Sequence, residues 1–226
     1  YLDEEGLGSA PADPNAVLEQ RVTNLAQTER GAVLTNAMAR ATLLGRSFTS
    51  TPLSRLCAIE GDPAVKWRPT SDEIESLLEP AVEAGLLVEQ GEGRWRYNHD
   101  LVRAKFRQLC RELPNWARLN LATAALKSRR ADADPTGIEL EMVARHHWEG
   151  QQHKRAMELG LEGVRRLHES GLMGHATSFV RRLLEWDRKA HLLDAEARGE
   201  LLLLGSEAAE HAGQLQAAED HASAAV

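Results

Sequence analysis

Gly85-Leu86-Leu87-Val88-Glu89-Gln90-Gly91-Glu92-Gly93-Arg94-Trp95-Arg96-Tyr97-Asn98-His99-Asp100 is the stretch on which the architecture of this chain turns. Leu86-Leu87-Val88 and Trp95-Arg96-Tyr97 are short runs of strand-favouring residues. Between them, Gly91-Glu92-Gly93 supplies the backbone freedom of a tight turn. The spacing predicts two short strands around a glycine turn, with Gly85 stopping whatever precedes them. A strong helical pattern from Asp100 to Cys110 closes the module.

Working back toward the N-terminus, the pattern is helical. Val17, Leu18, Val22, Leu25, Val33, Leu34 and Met38 recur at three- and four-residue steps, with a break at Gln27 to Arg30. Leu43, Leu44, Gly45 and Phe48 read as an apolar connector. Thr51-Pro52 matches an N-cap followed by proline at the first helical position, opening a short helix to Ile59. Gly61 to Pro69 reads as a loop. Ser71, Glu73 and Ile74 reopen a helix that turns Ile74, Leu77, Leu78, Ala81 and Val82 inward and that Pro80 should bend or loosen. Three helices followed by a hairpin is the order of a winged helix-turn-helix.

Pro114 separates this module from a helix running through Trp116, Leu119, Leu121 and Leu126 to Arg129-Arg130. Beyond Pro135 the chain repeats itself. Gly163, Gly171 and Ala176 return 42 residues later as Gly205, Gly213 and Ala218, and Glu158, Leu159 and Leu161 return as Glu200, Leu201 and Leu203. Glycine where one helix turns toward the next, then alanine five residues on where helices cross closely, is what stacked helical hairpins require. The expected fold is therefore mainly α: a winged helix with a small β-hairpin, then an antiparallel α-hairpin solenoid. The expected boundaries are a linker over 1–15, the winged-helix domain over 16–112 and the helical repeats over 113–226.

Composition narrows the function classes. In 226 residues, 42% are apolar, 27% charged and 4% aromatic, which suits a helix-rich globular protein. Lys and Arg number 27 against 34 acidic residues, and the net charge of −7 repels a polyanion on average. Cys57 and Cys110 stand in apolar surroundings without ligand spacing, as buried thiols of a reducing compartment with neither disulfide nor zinc. No apolar run approaches a membrane span and no signal segment opens the chain, so the expected location is cytoplasmic. The start at Tyr1 and the acidic Gly/Pro-containing stretch from Asp3 to Pro14 point to a piece of a longer polypeptide.

The Gly-Gly-Ala spacing resembles the tetratricopeptide repeat, although the glycines stand one residue further apart and the period exceeds that motif's 34 residues. The segment Tyr97-Asn98-His99-Asp100-Leu101-Val102-Arg103, directly after the wing and in a chain that continues into such repeats, resembles signal-transduction ATPases of the STAND class. That class includes large ATP-binding LuxR-type regulators and ATPase modules of bacterial kinases and cyclases. Its order is nucleotide-binding domain, winged helix, repeats, and the likeness extends from Val17 over nearly the whole chain. His99-Asp100 matches the last two residues of the family's Met-His-Asp motif, with Asn98 where methionine usually stands. The resemblance implies that His99, with Asp100 and Arg103, faces ADP or ATP held by an upstream domain outside this chain. It also implies that the repeats bind a protein partner, and it leaves room for a homo-oligomer in the full-length protein. The residues alone equally fit a plainer role, with Asn98 or Asp100 capping the helix and His99 as filler.

Other constellations are weaker. The helix from Ser71 to Ala84 carries Asp72, Glu73, Glu75, Glu79 and Glu83 and no cation, which makes DNA an improbable partner for it. Arg94, Arg96, Arg103, Lys105 and Arg107 form a basic cluster that suits a phosphate, an acidic partner or a solvated salt-bridging face. His146 and His147 are adjacent on a helix and point about 100° apart, so with Glu149 they make a poor metal site. Trp116, Trp148 and Trp186 read as packing anchors of the hairpins. No phosphate-binding loop, nucleophile elbow or dinucleotide fingerprint occurs, so no catalytic residue is assigned and the chain itself is not expected to be an enzyme. The leading expectation is a non-catalytic regulatory and protein-interaction portion of a nucleotide-dependent signalling ATPase. The alternative is a DNA-binding winged-helix transcriptional regulator with a helical effector-binding domain.

Overall fold

The structure, a computed structural model, describes residues 13–59, 67–129 and 134–225. Among the described residues it is mainly α-helical, with eleven helices and one small antiparallel sheet of three strands. None of these helices is long and apolar enough to cross a membrane. The chain divides into two compact units, Tyr1–Trp116 and Ala117–Val226.

The first unit runs α1 (Pro14–Ala26), α2 (Gly31–Leu44), β1 (Ser47–Thr49), α3 (Ser50–Cys57), α4 (Ser71–Glu83), β2 (Leu87–Glu89), β3 (Arg94–Tyr97) and α5 (Asp100–Arg111). The sheet order is β1-β3-β2, both pairs antiparallel, with Phe48 opposite Trp95 and Leu87 opposite Tyr97. The alternation of a half-buried sheet is plain: Phe48, Leu87, Trp95 and Tyr97 face the helices while Ser47 and Arg94 are exposed. Tyr97 is fully buried, its ring 5.6 Å from Phe48 and 6.4 Å from Phe106, and its hydroxyl donates to the Met38 carbonyl.

The two strands around Gly91-Glu92-Gly93 are present as expected, but the connector before them holds a third. β1 also corrects the start of α3. Ser50 N–H donates to the Gly93 carbonyl at 3.0 Å, so Thr49, and not Thr51, occupies the cap position, without a side-chain cap bond. Pro52 then falls within the first turn, where its missing N–H costs nothing because the first four N–H groups of a helix lack intrahelical acceptors. At α4 the cap is Thr70, whose hydroxyl accepts from Glu73 N–H while Glu73 accepts from Thr70 N–H, a reciprocal capping box. Helix α4 continues three residues past Pro80. Of the loop expected over 61–69, residues 61–66 lie outside the described residues, as do 1–12 of the expected linker.

The second unit takes in nearly all of α6 (Trp116–Ser128), then α7 (Gly137–Glu149), α8 (His153–Glu169), α9 (Met173–Ala190), α10 (Ala195–His211) and α11 (Leu215–Ala225). From α7 onward, connections of three or four residues make successive helices antiparallel neighbours, and α8 also packs on α10. The internal correspondence maps onto equivalent places. Gly171 and Gly213 turn the chain at φ +71° and +72°, and Gly163 and Gly205 lie buried within α8 and α10. Ala176 and Ala218 follow in α9 and α11, the first buried and the second half-buried.

Gly137 brings α7 against α8. A Cβ there would lie 2.7 Å from Leu167 N and 2.8 Å from Gly163 O, both backbone atoms that cannot swing aside. Gly199, within α10, has nothing within 4 Å of the same position. Gly137→Ala is therefore expected to destabilise by about 1–3 kcal/mol through overpacking, and Gly199→Ala to stabilise by about 0.5–1 kcal/mol through lost unfolded-state freedom. Thermal unfolding of the two variants checks the opposite signs.

Candidate functional site

The corner between β3 and α5 is fixed by Asn98. Its backbone N–H donates to Leu86 O at 3.1 Å and its side-chain amide to Gly85 O at 3.0 Å, so Asn98 ties the hairpin to its entry and does not cap α5. The next residue, His99, is the N-cap of α5, with extended backbone (φ −133°, ψ 153°) and no side-chain cap bond. Its imidazole is exposed at a helix opening whose first N–H groups have no capping side chain, a local environment favourable to anions.

A concavity of 310 Å³ opens beside His99. Helix α1 contributes Val17, Leu18 and Arg21, the turn after α4 contributes Gly85 and Leu86, and α5 contributes Leu101 and Val102. The rim is apolar, with Leu101 54% and Val17 38% exposed. Arg21 reaches the Ala84 carbonyl at 3.5 Å and also lines an adjoining hollow of 630 Å³ against α4. The site thus offers an apolar bed bordered by one imidazole and one guanidinium, an arrangement that can hold a group with an apolar body and an anionic end.

Of the three residues singled out in the sequence, only His99 lines this concavity. Asp100 is exposed and lies 3.7 Å from Arg46, favourably placed in the first turn of α5. Arg103 is half-buried one turn along the helix, its Nε shielded from solvent without a hydrogen-bond partner among the described residues. The wall supplied by α1 was not among the sequence candidates, because Val17, Leu18 and Arg21 carry no motif.

No family model, curated protein or solved structure was found that matches the chain. Function is therefore read from its own residues.

The basic cluster separates into distinct environments. Lys105 pairs with Glu19 at 3.1 Å, and Arg107 sits 5.7 Å over the Trp116 ring while reaching the Thr42 carbonyl at 3.5 Å. Trp116, the first residue of α6, thus meets the last turns of α5 through Arg107. Trp148 and Trp186 do join hairpins: their rings stack 4.6 Å apart and 2° from parallel, linking α7 to α9, with His153 stacked on Trp148 at 4.2 Å. His146 and His147 engage different partners, Asn120 and Gln152, each at 2.8 Å. Cys57 and Cys110 are buried thiols, raised to about 12 and about 11 by burial, with nearby arginines pulling the other way, so neither is a thiolate nucleophile at neutral pH.

Proposed function

We propose that this chain is the non-catalytic regulatory and protein-interaction portion of a cytoplasmic, nucleotide-dependent signalling ATPase, a winged helix followed by tetratricopeptide-like repeats. The observation that carries this reading is the order α2-β1-α3-α4-β2-β3, with the last strand central in the sheet and an exposed His99 opening the next helix. That order suits a winged helix, and a histidine directly after the hairpin is what the resemblance to STAND-class ATPases leads one to expect. The paired turn glycines and the 42-residue correspondence of α8–α9 with α10–α11 support the repeat half of the reading.

In this reading His99 donates a hydrogen bond to a phosphate of ADP or ATP bound by an upstream domain, and the repeats hold a protein partner. Motion of one module relative to the other couples the two events. Replacing His99 by Ala in the parent polypeptide is expected to weaken ADP retention about tenfold, the worth of one charge-assisted hydrogen bond, and to raise basal activity. Unchanged nucleotide content and unchanged basal activity would remove His99 from the mechanism.

A duplex-binding regulator is the second reading, favoured by the same helix-turn-helix order. Its reading helix would be α4, where Glu73 is engaged in the cap and Glu75 accepts from Ser50 at 2.8 Å, leaving Asp72, Glu79 and Glu83 exposed toward any phosphate. Titration with duplex DNA across salt concentrations separates the two, since genuine phosphate contacts weaken steeply as salt rises.

A further inference from the structure

We propose that the outer face of the β1-β3-β2 sheet docks an acidic protein segment, whose carboxylates seat on Arg94 and Arg96. On that face Ser47 lies opposite Arg96 and Thr49 opposite Arg94, with Val88 on the far side of Arg96. The next residue on that face, Gln90, extends the ladder opposite Arg94, to whose carbonyl its N–H donates. No carboxylate occupies these positions, in a chain of net charge −7. Among the described residues neither arginine forms an ion pair, and Arg96 Nε is shielded from solvent without a hydrogen-bond partner.

The charge pattern selects the partner. Arg94 and Arg96 stand two residues apart on one strand, about 7 Å along it, which is also the spacing of same-side side chains in an extended peptide. A guanidinium takes a carboxylate through two parallel N–H bonds, and the hydroxyls of Ser47 and Thr49 stand beside each such seat as further donors. Single-stranded nucleic acid fits less well because its binding platforms stack bases on aromatic rings, and Trp95 and Tyr97 are turned inward and buried. The inference stands apart from the nucleotide reading, since it uses neither His99 nor the concavity beside it.

The test is fluorescence anisotropy of the full chain with a short labelled peptide alternating Glu and Thr, beside a Gln-Thr version, a single-stranded oligonucleotide and a duplex. The Glu-Thr peptide is expected to bind in a salt-sensitive manner and the Gln-Thr version not to bind. Arg94→Glu and Ser47→Glu, both at exposed positions, are expected to weaken binding about tenfold, and Arg188→Glu, with a like charge change in the second unit, to leave it intact. Circular dichroism confirms that each variant folds. The proposal is overturned by no binding of the Glu-Thr peptide, by binding indifferent to Arg94→Glu and Ser47→Glu, by an equal loss in Arg188→Glu, or by tighter binding of either nucleic acid.

Discussion

Arg40→Ala is expected to destabilise the first unit by about 3–5 kcal/mol, as much as truncating a buried aromatic ring. The side chain is 7% exposed, in the middle of an otherwise apolar stretch of α2, and carries its charge without a carboxylate partner among the described residues. Its compensation is backbone: one guanidinium nitrogen donates to Leu56 O at 2.6 Å, Cys57 O at 3.1 Å and Ile59 O at 3.1 Å. These are the carbonyls of the end of α3 and the turn beyond it, where a helix leaves acceptors unsatisfied and its dipole favours a cation. Burial lowers the Arg40 pKa, but an arginine starts so high that the group stays charged at any ordinary pH. Truncation takes the buried donor away from all three carbonyls and leaves a cavity, although Leu56 O keeps the Ile59 N–H at 3.2 Å and Ile59 O keeps the Asn115 amide at 3.2 Å. Arg40→Lys should recover roughly half of the loss, because it keeps the charge and three N–H donors on one nitrogen but loses the planar guanidinium's fixed geometry. Denaturant unfolding, with hydrogen exchange followed at α2 and α3, measures the effect; a loss below about 1 kcal/mol would mean water satisfies these carbonyls instead.

Arg40 also marks the limit of what the sequence discloses. Gly91-Glu92-Gly93 between two strand-forming runs announces β2 and β3, because turn chemistry and alternation are local signals. β1 is silent: Ser47-Phe48-Thr49 has one apolar residue and becomes a strand only by pairing with Arg94 to Arg96, far away in sequence. The turn glycines at 171 and 213 are legible through their spacing, since positive φ is a demand written into residue type. The partners of Arg40 are carbonyls, which every residue possesses, so nothing in the sequence distinguishes it from a solvated arginine. The concavity beside His99 is half legible for a related reason. The corner at Asn98-His99-Asp100 follows directly from the hairpin, whereas the wall from α1 depends on packing between segments some eighty residues apart.

Asp187→Ala is the second large loss, about 3 kcal/mol, and it falls in the second unit. Asp187 is 3% exposed near the end of α9, where one carboxylate oxygen accepts from Leu192 N at 2.9 Å and Leu193 N at 2.8 Å, closing the turn into α10. The other oxygen takes the Arg198 guanidinium through Nε at 3.0 Å and a second nitrogen. Burial by itself would push this carboxyl up. The Leu193 N–H, the Arg198 guanidinium and the Leu192 N–H more than offset it and hold the group below the ordinary aspartate range. Arg198 is nearly half exposed, so solvent screens its share and most of the loss belongs to the two backbone N–H groups left without an acceptor. The sign with pH follows from the depressed value: the contribution is fully present above the unfolded-state pKa near 3.8 and disappears as pH falls through the lower folded value. Asp187→Asn keeps a carbonyl for one or both N–H groups but turns neutral toward Arg198, so it should cost less than Ala. The stability gap between wild type and Asp187→Asn should be constant from neutral pH to about pH 5 and close on further acidification, as the wild-type carboxylate takes up its proton. Thermal melts of the three proteins between neutral and strongly acidic pH measure that closure. A gap that persists at the acid end would place the loss in packing of the α9–α10 turn and not in the carboxylate's charge.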